Sequence, residues 1–337
     1  MLNIIVTIDY EIFGDGTGDP RQHMIGPLDR ILSIFERYSI PITLMFEASE
    51  YIKFAQFDRK IRRDKGYSWA KEIKEQVLST YERGHDVQLH IHPQWHDAHY
   101  RDGRWIIPRP NLSPRALPVE SLEVMIREGK QRLEQLIGSS NKAYSCAVLR
   151  LTNLDWQQPP PQAVEAMFNC NIKVHSLSAS SYGPPTPQGF WVLDEDRNII
   201  ELPIYSRLLR GYRLFTTRRI LTGLQSRFSA MRSIAGSTRQ KRKRPVHLLG
   251  TFNILAKRYP IKWDMCKLSH RELLNFLLSA AKSYDFESRE IPLIMIGHTK
   301  DFFNPRGLKQ FLDKARLIDF VKFTTLAEFL NERLFYI

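Results

Sequence analysis

Three short stretches hold side chains whose types and spacing suit hydrolytic chemistry. The first, Thr7-Ile-Asp9-Tyr-Glu11, closes the first apolar run of the chain. Two carboxylates two residues apart on extended backbone project to one side. At the C-terminal end of a strand in an α/β barrel, that side faces the mouth where ligands bind. The second runs from Gly84 through His90-Ile-His92-Pro-Gln-Trp95-His96, and four of the chain's ten histidines fall between His90 and His99. His90 and His92 share the same two-residue relation, so both imidazoles can face one ion. Imidazole nitrogen with carboxylate oxygen is a donor set for zinc or a similar divalent cation. The third stretch, Pro292-Leu-Ile-Met-Ile-Gly-His298-Thr-Lys300-Asp301, delivers a histidine at the end of an apolar strand, where a general acid would sit. Arg150, closing the run 144–149, is a fourth candidate, because an arginine beside a carboxylate base lowers its pKa and fixes its orientation.

Taken singly, each has an ordinary explanation: a solvated loop, a core histidine, a surface arginine. Together they supply what amide hydrolysis requires. An amide is a poor electrophile with a poor leaving group. A metal polarises the carbonyl and brings the pKa of water towards ~7. A carboxylate takes the water's proton, and a separate acid, here His298, protonates the departing nitrogen.

These residues need strands to carry them. Short β-branched runs at 3–8, 41–46, 86–91, 144–149, 172–175, 199–203 and 292–296 alternate with amphipathic runs at 27–38, 68–83, 118–137, 161–168, 269–284, 306–316 and 325–333. Ser269 and Glu272 form a capping-box pattern at the start of one of them. Seven strands with interposed helices fit one α/β barrel over residues 1–337 better than two domains.

The order TIDYE, GHDVQLHIHPQW, an arginine after the fourth strand, IIELPI and LIMIGHTKDF resembles the polysaccharide deacetylase (NodB-homology) family from about residue 3 to 329. The resemblance implies an α/β fold, a single distorted (β/α)7-type barrel that hydrolyses N-acetyl (sometimes O-acetyl) groups on glycans with a divalent metal, commonly zinc, held by one carboxylate and two histidines. It places Asp9 as the general base, His90 as the first metal histidine, His298 as the acid and Arg150 as the arginine beside the base. Glu11 then becomes the carboxylate ligand. The family's two adjacent aspartates are interrupted here by Tyr10, so the roles of Asp9 and Glu11 are open to exchange. The family's second histidine lies where Gln94 stands. His92 replaces it by strand geometry, with His96 in reserve. The aromatics that follow, Trp95, Tyr100 and Trp105, are expected to form a platform for a sugar ring.

The net charge of +13 (49 Lys and Arg against 36 Asp and Glu in 337 residues) is confined to one segment. Between Glu201 and Asp264 there is no acidic residue and there are 15 basic ones, which leaves 34 basic and 36 acidic residues elsewhere, a net of −2. The barrel therefore carries an acid-free basic insert at about 205–262. Its apolar residues recur at near-helical spacing over 206–235 among arginines, and the charge run Arg239-Gln-Lys-Arg-Lys-Arg244 follows. Such a stretch, from Arg207 to Arg244, suits the anionic face of a membrane or simply a solvated basic helix. Nucleic acid ranks third, because no recognisable nucleic-acid motif is present. Three widely spaced cysteines without a CxxC argue against a disulfide framework. No apolar run reaches the ~20 residues that span a bilayer, and the N-terminus lacks the marks of a signal peptide. The expected location is the cytoplasm, with peripheral contact at the inner membrane face if the basic segment binds anionic lipid. The expected activity is a metal-dependent deacetylase acting on an acetylated glycan or glycan precursor. The alternatives are hydrolysis of another amide, such as a cyclic ureide or small amide, on the same barrel, and a non-catalytic glycan- or membrane-binding homologue.

Overall fold

A computed structural model of the chain describes residues 1–155, 157–183, 186–210 and 257–333. The strands among them are β1 (Leu2–Tyr10), β2 (Thr43–Glu47), β3 (Asp86–Ile91), β4 (His99–Arg101), β5 (Arg104–Ile106), β6 (Val148–Leu151), β7 (Val174–His175), β8 (Trp191–Asp194), β9 (Ile199–Glu201), β10 (Ser206–Arg210), β11 (Arg258–Lys262), β12 (Ile291–His298) and β13 (Val321–Thr324). The helices are α1 (Gly26–Arg37), α2 (Ala48–Gln56), α3 (Asp58–Lys65), α4 (Trp69–Glu82), α5 (Val119–Ile137), α6 (Pro161–Asn169), α7 (His270–Ser283), α8 (Pro305–Ala315) and α9 (Leu326–Arg333). The principal sheet has the order β12-β1-β2-β3-β6-β7-β9-β8, with β13 also on β1. Its pairings are parallel except β8 with β9. β1 pairs with β12 along almost its whole length, while its other edge meets β13 over Leu2–Ile5 and β2 over Thr7–Tyr10. Covered on both faces, all nine residues of β1 are buried, which is why it reads as a continuous apolar run.

Closure comes through single bridges. Ile204 bridges Ala179 on one side and Ile294 of β12 on the other, and Asp264 bridges Ile296. The sheet thus curls into a single barrel, as the alternation predicts, of the distorted (β/α)7 type that the resemblance implies. Inside, Ile5, Met45, Val148, Val174, Ile200 and Ile294 form one apolar cluster with Leu326, Phe329 and Leu330 of α9, which plugs the floor. The Thr43 hydroxyl and the Asp86 carboxylate accept from the backbone nitrogens of Leu326 (2.9 Å) and Ala327 (3.1 Å), satisfying the open N-terminus of that helix. With the floor apolar, the odd residues of β1 and the even residues of β3 carry their polar groups to the opposite end of the same lumen.

Two expectations shift. The strand expected at 144–149 forms only over Val148–Leu151, because the Glu134 and Gln88 side chains accept from the backbone nitrogens of Cys146 (3.0 Å) and Val148 (3.1 Å). The helical spacing read from 206 onwards begins as strand. β10 pairs antiparallel with β11, Ser206 opposite Lys262 and Arg210 opposite Arg258. The rest of the basic segment, including Arg239 to Arg244, lies outside the described residues. Among the described residues no helix is long and apolar enough to cross a membrane.

Candidate active site

β1 delivers Asp9 with Glu11 just beyond its end, β3 delivers His90 with His92 just beyond its end, β6 delivers Arg150, and β12 ends at His298. Neighbouring registers bring these ends level: Asp9 lies opposite His298, and His90 opposite Arg150. All six side chains are buried or nearly so.

They form two linked groups. In one, Glu11 Oε2 lies 2.8 Å from His92 Nε2 and 3.3 Å from His90 Nε2. In the other, Asp9 Oδ1 accepts from Arg150 Nη1, and Asp9 Oδ2 lies 3.4 Å from His298 Nε2. Arg150 is wholly buried, and its fork is filled: Nη2 donates to the Thr7 hydroxyl at 2.9 Å and Nε to the Ser176 carbonyl at 2.7 Å. Ser176 is itself held by the turn after β7, where Glu201 accepts from the backbone of Leu177 (3.0 Å) and Ser178 (2.8 Å). Asp9 therefore sits at the end of a chain of fixed hydrogen bonds.

The charges answer to these contacts. Burial would raise the Asp9 carboxyl, but Arg150, His90 and His298 outweigh it and hold the group below the ordinary aspartate range. Burial likewise would raise Glu11, and His92 with Lys300 carry it well below. Burial drives His298 down to about 4 against the opposing pull of Asp9, so at neutral pH this imidazole is uncharged at rest.

Ligation of a cation can be judged from the donor atoms. His90 Nδ1 lies 2.9 Å from the Arg150 carbonyl, which only accepts, so Nδ1 carries a hydrogen and Nε2 is the nitrogen available to ligate a cation. Glu11 Oε2 and His90 Nε2 face each other at 3.3 Å in a buried place, and a divalent cation between them would be bound by both. His92 donates from Nε2 to Glu11, and its Nδ1 accepts from Gln94 Nε2 at 3.0 Å. A cation bound there would take the place of the Nε2 proton. The ligand atoms of Glu11, His90 and His92 lie within 4.8 Å of one another, and so do those of Asp9, Glu11 and His298. The donor set of two nitrogens and one carboxylate oxygen fits zinc or a similar divalent ion.

Several residues in this arrangement gave no sign in the sequence. Lys300 Nζ donates to Glu11 Oε1 at 2.6 Å. Glu47 caps α2 and accepts from the His92 backbone nitrogen at 2.8 Å, while Glu50 accepts from that of Ile12 at 3.0 Å. Two buried glutamates of one helical turn thus fix the backbone beside both ligand pairs, and burial pushes Glu47 up to about 7. Gln94 is tied through its Oε1 to Asn153 Nδ2 at 2.8 Å. Asp264 adds its charge to the field at His298.

Other expected residues sit elsewhere. His96 is exposed and belongs to neither group. Trp95, Tyr100 and Trp105 offer no open ring face, which corrects the expected sugar platform. The β4–β5 hairpin folds Tyr100 and Trp105 back into the core, where Phe54 stands 5.7 Å from Trp95 and 5.4 Å from Trp105 between ring centres. Trp95 and Trp105 meet edge to face at 5.1 Å, and Gly16 (φ +79°) packs so close that an added Cβ would lie 2.6 Å from that of Trp105. Trp105→Ala is therefore expected to lower stability by about 3–5 kcal/mol, seen in urea unfolding, while leaving substrate KM unchanged. A raised KM at full stability would restore the platform.

Compared with solved structures, the chain is similar over 98% of its length to three proteins at a TM-score of 0.52. One is described as a polysaccharide deacetylase from Mycobacterium smegmatis, at 12% identity over 89% of that chain. The fold is that of the polysaccharide deacetylases. The others are PuuE allantoinase, at 10% identity over 89% of its chain, and a 4-alpha-glucanotransferase from Thermococcus litoralis, at 13% identity over 40% of its chain. No protein-family model and no curated protein sequence matches the chain. At such identities the likeness establishes the fold, and the activity has to be argued from the site.

Proposed function

We propose that the chain is a metal-dependent hydrolase that removes acetyl groups from N-acetylated sugars of a polysaccharide or glycan precursor. The observation that carries this reading is the side-by-side arrangement of an acceptor triad, Glu11, His90 and His92, with an arginine-held carboxylate facing a histidine, Asp9 and His298. The shared fold with a protein described as a polysaccharide deacetylase supports it.

In this reading Glu11, His90 and His92 hold the ion. A divalent ion bound there would supply Lewis acidity to the acyl oxygen and to a water molecule. Asp9, anionic and oriented by Arg150, accepts the proton from the attacking water. His298 is uncharged at rest, so it acts as an acid only after gaining a proton. Asp9 Oδ2, 3.4 Å away, is the group placed to hand it over. The imidazolium then donates to the amine nitrogen as the C–N bond breaks. The base thus recharges the acid within one turnover.

The test is acetate release from N-acetylated oligosaccharides by the full chain. Chelation is expected to lower the rate by on the order of two or more decades, given the metal's share of the barrier, and Zn2+ or Co2+ to restore it. Persistence of the rate after verified metal removal would refute the reading. The equal similarity to PuuE allantoinase keeps a second amide substrate in view. Acyclic small amides and cyclic ureides belong in the same assay, with product analysis separating acetate release from ring opening.

A further inference from the structure

Lys300 is not needed by the mechanism above, yet it touches the candidate ligand. Its ammonium donates to Glu11 Oε1 at 2.6 Å and to the Ile12 carbonyl at 3.0 Å, and it lies 5.8 Å from the centre of the Phe13 ring. The side chain is 14% exposed, against 3% for Glu11, so water does little to screen the pair. The short turn Thr299–Asp301 that carries it follows His298 directly, and Asp301 pairs with Lys267 at 3.2 Å. The lysine is thus fixed by the same strand end that presents the histidine.

The other two ligand side chains have uncharged partners on their outer nitrogens, the Arg150 carbonyl for His90 and the Gln94 amide for His92. Such partners orient a ligand and leave its charge intact. A cation on the outer oxygen of Glu11 does something different. It draws on the one negative charge the triad offers, and it blocks two-oxygen chelation.

We propose that Lys300 is a specificity-determining residue that competes for the charge of Glu11, weakening divalent-ion binding and confining it to one oxygen and two imidazole nitrogens. Oxygen-seeking ions such as Mg2+ and Ca2+, which need several oxygen donors, are disfavoured by that set. Ions content with nitrogen, such as Zn2+ and Co2+, keep most of theirs. This inference rests on the metal-dependent reading of the site.

The experiment is titration of the metal-stripped full chain with Zn2+, Co2+ and Mg2+, followed calorimetrically and by chelator competition, for wild type, Lys300→Met, Lys300→Gln and Lys300→Arg. The Met and Gln variants are expected to bind Zn2+ and Co2+ at least tenfold more tightly, within the roughly 10- to 100-fold reach of outer-sphere partners. Mg2+ binding should become measurable, and Arg should behave like wild type. Lys300→Gln retains donors for Glu11 and Ile12 and carries the test alone if the Met variant does not fold. Equal or weaker Zn2+ binding by a folded uncharged variant would overturn the proposal and reduce Lys300 to a positioning role. If wild type and every variant bind no divalent ion, the metal-dependent reading itself fails and takes this inference with it.

Discussion

Asp9→Asn is expected to lower kcat about 10³-fold, within the 10²–10⁴ range for a positioned base, while Zn2+ binding is retained, because Asp9 pairs with Arg150 and His298 and not with Glu11, His90 or His92. The asparagine oxygen can still accept from Arg150, so the hydrogen bonds to Thr7 and Ser176 persist and the site keeps its shape. What disappears is the ability to take a proton from water and pass it to His298. The mirror experiment is Glu11→Gln. Its carboxylate oxygen is the atom shared by both imidazoles, so this variant should lose metal before it loses anything else. The two readouts, turnover with intact binding and binding itself, should part cleanly between the two acids. If instead Asp9→Asn empties the site and Glu11→Gln keeps it filled, the roles are exchanged, the arrangement that Tyr10 between them leaves open in the sequence.

The lumen-facing alternation of β1 and β3 was legible in the sequence because it is a local, period-two pattern that delivers four polar groups from two short strands. The lumen position of Arg150 follows the same rule. What no local pattern could disclose are groups that act through the third dimension. Lys300 lies 289 residues from Glu11, and the Ser176 carbonyl that holds Arg150 is a backbone atom that any residue would supply. Glu47 and Glu50 belong to α2, and neither α2 nor α3 stood out in sequence. α3 has a single buried residue, Ile61, and no apolar stripe to read. The aromatics after His92 failed for the opposite reason. Density of Trp and Tyr beside ligands looks the same in sequence whether the rings face a sugar or pack on Phe54, and only the hairpin that turns them inward decides. The shared fold with an allantoinase and a glucanotransferase makes the complementary point about function: the barrel supplies strand ends, and the residues on those ends choose the chemistry.

Replacing Arg150 should lower stability substantially, and the pH dependence of that loss is the diagnostic part. Arg150→Met leaves Asp9 buried without its principal counter-charge, and breaking such a pair costs about 3–5 kcal/mol near neutral pH. In the wild type the Asp9 pKa is depressed on folding, so its stabilising contribution is complete above the unfolded value, near 3.8, and is lost as pH falls through the lower folded value. Without Arg150, burial, the largest influence on this group, is opposed only by His90 and His298, and the folded pKa is expected to rise above 3.8. The sign then reverses: what Asp9 contributes in the variant is present at low pH and is lost as pH rises through the raised value. The gap in unfolding free energy between wild type and variant should therefore be widest at pH 7 and narrow towards pH 4, in paired urea titrations where the other acids cancel. The acid limb of kcat/KM should move to higher pH in the same variant, since Asp9 must be ionised to work. Arg150→Lys should fall between, because one ammonium cannot serve three acceptors fixed around a planar fork. A gap of equal size at both pH values would show that Arg150 acts through packing alone. Asp9 would then owe its low pKa to the histidines, and the base would have to be oriented by His298 rather than by the arginine.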